Sequence, residues 1–120
     1  MHVRTRDTVE PYVTVDGSSV RELCHPRSVP VRNQSLAEAS IPVGAATTAH
    51  YHRLTEELYY ITTGAGLLRA GGDERPVRPG DCVLIPPGVV HKLVNTGATP
   101  LVVLCCCAPP YSHEDTFLTE

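Results

Sequence analysis

His50 and His52 stand just before Glu57, and a third histidine, His91, follows much later in the chain. Three imidazoles and one carboxylate make the donor set of a divalent metal site that keeps positions for water or substrate. Fe(II), Mn(II), Ni(II), Co(II), Cu(II) and Zn(II) all accept such donors, so ligand type alone leaves the metal open. An ion held this way polarises a substrate oxygen, activates water or, if redox-active, binds O₂. Glu57 is read as a ligand, with a second role as a base left open. Tyr59, two residues on, is the candidate phenolic donor or general acid. Its alternative is a packed aromatic.

The elements that position these groups follow from spacing. His50 and His52 are two apart, so on a strand both rings leave the same face. Glu57 follows a short turn and is expected to begin the adjacent strand. His91 arrives from a distant strand and closes the site. Gly44, Gly64 and Gly80 mark tight turns, and Pro86-Pro87-Gly88 makes the bend that aims His91 inward. Alternation then names a pocket wall: Tyr59, Ile61 and Thr63 with Glu57, Leu93 and Asn95 with His91, joined by Val83 and Ile85. Such a wall is mostly apolar with a few hydroxyls, which suits a small organic substrate. No cluster of Arg and Lys falls at inward positions, and Arg69 faces either way, so phosphosugars and dicarboxylates gain little support.

Along the chain, residues 1 to 11 are polar and read as loose. Strand candidates are 12–15, closed by the turn signal Asp16-Gly17, then 20–24, 35–41, 50–52, 57–63, 67–70, 75–77, 82–85, 90–95 and 100–107. Residues 25–30 read as loop, and 108–120 as a tail with room for one helical turn. Short strands at near-regular spacing, with Gly and Pro between them, indicate an antiparallel sandwich or barrel.

The anchors also sit at the offsets of a named pattern. Gly44, His50, His52, Glu57 and Gly64 resemble the first cupin motif. Gly80, Pro86, Gly88, His91 and Asn95 resemble the second, after fifteen intervening residues. The chain therefore resembles a small bacterial monocupin of the cupin superfamily across 35 to 108. The resemblance implies an all-β, single-domain, antiparallel double-stranded β-helix, the jelly-roll barrel, with a metal at one end. It divides the chain into an N-terminal arm with strands (1–34), a barrel core carrying both motifs (35–108) and a C-terminal tail (109–120). It implies His50, His52, Glu57 and His91 as metal ligands. The count to Gly64 selects Glu57, while a shorter gap allowed in the family selects Glu56. It also makes strands 12–24 a candidate contact in a homodimer, consistent with the rule that exposed strand edges are covered or paired.

Composition bounds the rest. One hundred and twenty residues suit one domain. A net charge of −3, with acids and bases interspersed and no basic stripe, argues against a nucleic-acid partner. No apolar run reaches membrane-span length, and Met1-His2-Val3-Arg4 starts no signal peptide, so a cytoplasmic protein is expected. The five cysteines do not form a disulfide framework. Cys105 and Cys107 share a strand face opposite Cys106, as small apolar filler or as thiols beside the metal. His113, Glu114 and Asp115 are either a solvated terminus or a flap over the barrel mouth. His2 and His25, without partners at ligand spacing, read as surface residues.

Three functions compete. The first is a metal-dependent enzyme with oxygenase-like activity on a small organic substrate, using Fe or Mn. The second is a Zn- or Ni-assisted isomerase or polyketide cyclase in which Tyr59 or Glu57 moves a proton. The third is a non-catalytic cupin that binds a metal or ligand. Fold alone does not choose between them.

Overall fold

Alternating apolar and polar residues build two antiparallel sheets in the computed structural model, which describes residues 1–120. The strands are β1 (Tyr12–Val13), β2 (Ser19–Cys24), β3 (Ser35–Ile41), β4 (His50–His52), β5 (Glu56–Thr63), β6 (Gly66–Ala70), β7 (Asp73–Val77), β8 (Cys82–Ile85), β9 (His91–Asn95), β10 (Leu101–Ala108) and β11 (Thr116–Leu118). One sheet runs β1-β2-β3-β10-β5-β8 and the other β11-β4-β9-β6-β7. Apart from two short 3-10 turns, at Arg6–Thr8 and His113–Asp115, there is no helix. No helix is long and apolar enough to cross a membrane.

The core lies between the two sheets. β5 buries Glu57, Tyr59 and Ile61 and exposes the residues between them. β9 buries His91, Leu93 and Asn95, and β10 sends Leu101, Val103 and Cys107 inward. Ile41, Leu68, Val77 and Ile85 complete this layer. Alternation is the direct consequence of the strand's two-residue period.

Several expectations need correction. Thr63 does not join the inner wall but is exposed. β5 carries an extra residue, Thr62, between the pairs Ile61–Val103 and Thr63–Val102, and this bulge reverses the alternation. The strand expected at 12–15 stops at Val13, because Thr14 turns to accept Gly17 N–H and to donate to Ser18 O, both at 3.0 Å. The first eleven residues are partly anchored: Arg21 donates to Val9 O at 2.7 Å, and Arg6 meets Glu38 at 2.9 Å. The tail is also anchored. Its 3-10 turn feeds β11, which pairs along the whole of β4.

Gly64 shows why the barrel tolerates only glycine at one corner. Its φ is +87°, and an added Cβ would lie 2.6 Å from the carbonyl oxygen of Pro100. Both the backbone conformation and the approach of β10 exclude a side chain there.

Candidate metal centre

The histidines converge from one sheet and the carboxylate from the other. His50 and His52 leave the same face of β4, and His91 sits on neighbouring β9 directly opposite His50. One ring nitrogen from each of the three lies within 4.8 Å of the others. Glu57 does not begin the adjacent strand, as spacing suggested. It begins β5 in the facing sheet, because residues 53–55 cross between the sheets. That crossing is pinned by the Asp115 carboxylate, which accepts Leu54 N–H and Thr55 N–H, each at 3.0 Å. Thr55 Oγ1 donates to Pro109 O at 2.8 Å on the same corner. Glu57 Oε1 thereby lies 3.3 Å from His52 Nε2 and 3.5 Å from His91 Nε2. Glu56 is exposed on the outer face.

Hydrogen bonds on the far side of each ring set the tautomers. His50 Nδ1 donates to Thr48 O at 2.7 Å, and His91 Nδ1 donates to Val89 O at 3.0 Å. A carbonyl only accepts, so both Nδ1 atoms carry the proton. Thr116 Oγ1 spends its proton on Ser112 O and therefore accepts from His52 Nδ1 at 3.2 Å. In the neutral rings all three Nε2 atoms present lone pairs to the interior, where those of His52 and His91 face the Glu57 oxygen. His91 Nε2 and Glu57 Oε1 are buried and have no hydrogen-bond partner. The contacts at 3.3 and 3.5 Å miss hydrogen-bond geometry, so they are electrostatic contacts between charge and ring. Acceptors facing acceptors in a buried site are stabilised by a cation between them, a proton or a metal ion. Donors each about 2 Å from one ion sit roughly 3–4 Å apart, so these separations fit a shared metal.

The charges respond accordingly. Burial alone would raise the Glu57 pKa, but the imidazoles of His52 and His91 outweigh it and hold the carboxyl at about 2. Burial pulls His52 down, yet Glu57 wins and its pKa rises above the ordinary 6.5. Burial, then the neighbouring His91, lowers that of His50. A proton on His52 is thus the competitor of a metal.

A cavity of about 50 Å³ opens beside the histidines. Its walls differ from those expected. Glu57, Tyr59 and Leu93 line it, but Ile61, Val83, Ile85 and Asn95 do not. Asn95 instead serves the fold, donating to Ile41 O and Thr99 O at 2.9 Å each. Alternation along β5, β8 and β9 accounts only for Glu57, Tyr59 and Leu93, whereas much of the wall comes from β2, β3 and β10. Tyr111 also lines it, its ring edge-on to His52 at 5.9 Å. No lining residue is Lys or Arg, and Arg69 pairs with Glu74 on the surface at 2.7 Å.

Tyr59 is buried and packs edge-on to His91, ring centres 5.8 Å apart. Burial, then Glu57, pushes its pKa well above the ordinary 10, so it remains a donor. Cys105 and Cys107 both face the cavity, and Cys106 faces out towards Gln34. Cys107 Sγ donates to Glu57 Oε2 at 3.3 Å, and burial pushes its pKa up, so the thiol keeps its proton.

Two outlying histidines behave differently from one another. His2 is exposed. His25, expected on the surface, is buried: its Nε2 donates to Tyr111 O at 2.7 Å and its Nδ1 accepts Arg27 N–H at 3.1 Å. It clamps the segment that closes the cavity. His113 meets the Tyr111 hydroxyl at 3.1 Å but stays outside the site.

Sequence reasoning missed Asp16, whose Oδ2 lies 3.8 Å from His50 Nε2. The Asp16-Gly17 pair signalled a turn and nothing more. It also missed Thr116, although the Thr-Phe-Leu run was β-prone enough to suggest a strand.

The fold and centre define a cupin, and comparison with known proteins agrees. A family model described as "Cupin domain" matches residues 37–107. The chain belongs to that family. An uncharacterized protein of Methanocaldococcus jannaschii is 49% identical over 114 residues, covering 95% of this chain and 91% of its own. The tetracenomycin polyketide synthase protein TcmJ of Streptomyces glaucescens is 27% identical, over 83% of this chain and 70% of its own. The structure of the polyketide cyclase RemF from Streptomyces resistomycificus superposes with a TM-score of 0.82 at 22% identity, over 100% of this chain and 88% of its own. At that identity the likeness establishes the fold alone.

Proposed function

We propose that this cupin is a divalent-metal-dependent enzyme that moves protons on a small, uncharged organic molecule without redox change. The observation that carries this reading is the set of inward lone pairs on His50, His52, His91 and Glu57, fixed by outer hydrogen bonds, of which His91 Nε2 and Glu57 Oε1 are buried without a partner. Those four residues would hold the ion. When bound, a divalent ion supplies a Lewis acid that polarises a carbonyl or hydroxyl oxygen.

The chain's own groups do the remaining work. Tyr59 keeps its proton beside the site and donates it, or a hydrogen bond, to oxygen of the substrate. Glu57 turns Oε1 to the histidines as a ligand, and its Oε2, which accepts only the Cys107 thiol, keeps a lone pair to take the proton that leaves carbon. The apolar part of the wall and Tyr111 limit the access of water. Space for water-sized groups of about 50 Å³ admits only a few such ligands at ~10–15 Å³ each, so a small molecule, or the reacting end of a larger one, enters. The absence of wall cations disfavours phosphates.

Oxygenase chemistry was the first expectation from the ligand set. Two thiols and three phenols on the wall, Cys105, Cys107, Tyr12, Tyr59 and Tyr111, weigh against it, since such groups are targets for oxidation beside activated oxygen. The likeness to a polyketide synthase protein supports a small organic substrate.

The test is to strip the protein, reload it with Zn(II), Ni(II), Mn(II) or Fe(II), and offer small ketones and enols in D₂O. Deuterium uptake next to the carbonyl, read by NMR, should need metal and fall on the order of 10²-fold in Tyr59→Phe. Substrate-dependent O₂ consumption, with no deuterium uptake, would reverse the assignment.

A further inference from the structure

The turn between β1 and β2 sends a second carboxylate into the centre. Asp16 Oδ1 accepts three hydrogen bonds: from Thr14 Oγ1 at 2.6 Å, Ser18 Oγ at 2.6 Å and Ser18 N–H at 2.9 Å. The backbone joins in, since Thr48 N–H donates to Asp16 O at 2.7 Å, tying this turn to the residue that orients His50. One oxygen is fully occupied by the turn. The other, Oδ2, points at His50 Nε2, 3.8 Å away, and the carboxylate is only 14% exposed. Its negative charge is felt by His52, Tyr59, Cys105 and Tyr111, which surround the cavity.

A turn needs an Asx residue with one engaged oxygen and gains nothing from aiming the second at a buried ring. The independent observation is across the site, where His91 Nε2 and Glu57 Oε1 are buried and without partners. Asp16 Oδ2 belongs to none of the strands, β4, β5 and β9, that carry the recognised donors. It comes from a segment outside both motifs, at a distance that suits two donors on one ion.

Resting on the metal reading above, the geometry points to Asp16 as a second anionic group of the centre, facing the ion through Oδ2 and selecting against anionic ligands. A divalent ion with Glu57 alone keeps one positive charge and attracts an anion. With Asp16 added, the two carboxylates cancel the ion's charge, leaving an open position suited to a neutral oxygen ligand. The acid-rich, cation-free wall is the matching environment.

The experiment uses the full chain, stripped and titrated calorimetrically with Zn(II) and optically with Co(II), for wild type, Asp16→Asn and Asp16→Glu. Melting curves of the apo forms accompany each titration. Both variants disturb the turn, but only Asp16→Asn removes the charge. The expected result is one Zn(II) per wild-type chain, at least tenfold weaker binding in Asp16→Asn, and recovery of most of that loss in Asp16→Glu. Oxalate, used as an anionic probe, should perturb the Co(II) bands of Asp16→Asn at a concentration at least tenfold below that needed for wild type. Equal affinity, spectrum and oxalate response in wild type and Asp16→Asn would overturn the inference while leaving the metal reading intact. Equal weakening in both variants would overturn it too, reducing Asp16 to a turn residue. A wild-type chain that takes up neither ion overturns the metal reading, and this inference with it.

Discussion

Glu57 is the residue on which the centre turns, because its carboxylate reaches both His52 and His91 from the facing sheet. Its Oε2 is held by the Cys107 thiol, so Oε1 is the oxygen left for the histidines. Cys107→Ala should free the carboxylate and weaken metal binding several-fold in calorimetric titration, while Cys107→Ser, which keeps a donor, should restore most of it. The pH response follows from His52. Its pKa is raised, so a proton competes for Nε2 at and below neutrality. Glu57 stays ionised down to about 2 and adds nothing to that competition. Metal affinity should therefore fall as pH drops through the raised His52 value and level off above it. A titration series from pH 5 to 8 checks this, and a flat profile would contradict it. At this scale the recognised donors were legible because type and spacing are both visible in a sequence. Asp16 was not, since its role depends on which strands meet across the barrel, and Cys107 was legible only as one of two readings, a thiol beside the metal.

Elements matter here through the partners they place behind the ligands. β11 was read as part of a tail with room for one helical turn, yet it pairs with β4 and supplies Thr116, the hydroxyl that fixes the His52 tautomer. Thr116→Val keeps the shape and loses that acceptor, so metal affinity should fall about 10-fold with little change in melting temperature. The Gly64 corner carries the opposite signature. Gly64→Ala forces a side chain into φ +87° and against Pro100 O. It should destabilise the fold by about 2 kcal/mol or more, read as a lowered denaturation midpoint. Strand positions were mostly legible, with 35–41, 50–52 and 82–85 matching throughout. The misreadings, at Thr63 and Thr14, arose where a bulge or a turn interrupts a two-residue period that local sequence continues. Which sheet Glu57 enters is set by the Asp115 and Pro109 contacts with residues 54–55, sixty and fifty-four positions away, and no local pattern encodes them.

The whole molecule is a two-sheet barrel whose closed end is its core and whose other end holds buried acceptors without partners. That asymmetry gives the metal a structural as well as a chemical part. An ion that binds only the folded chain stabilises it by mass action, about 4 kcal/mol at a thousand-fold excess over its Kd. The family was legible from ten anchors, but the reaction was not, because a jelly roll fixes where a site lies and its wall chemistry decides what enters. The central claim rests on a cation among His50, His52, His91 and Glu57. The direct measurement is the metal content of the protein purified without chelator and after reconstitution, with His91→Ala alongside. The account predicts close to one transition-metal ion per chain in wild type and a large loss in His91→Ala. No bound metal in wild type even after reconstitution, or equal metal in both proteins, would contradict it.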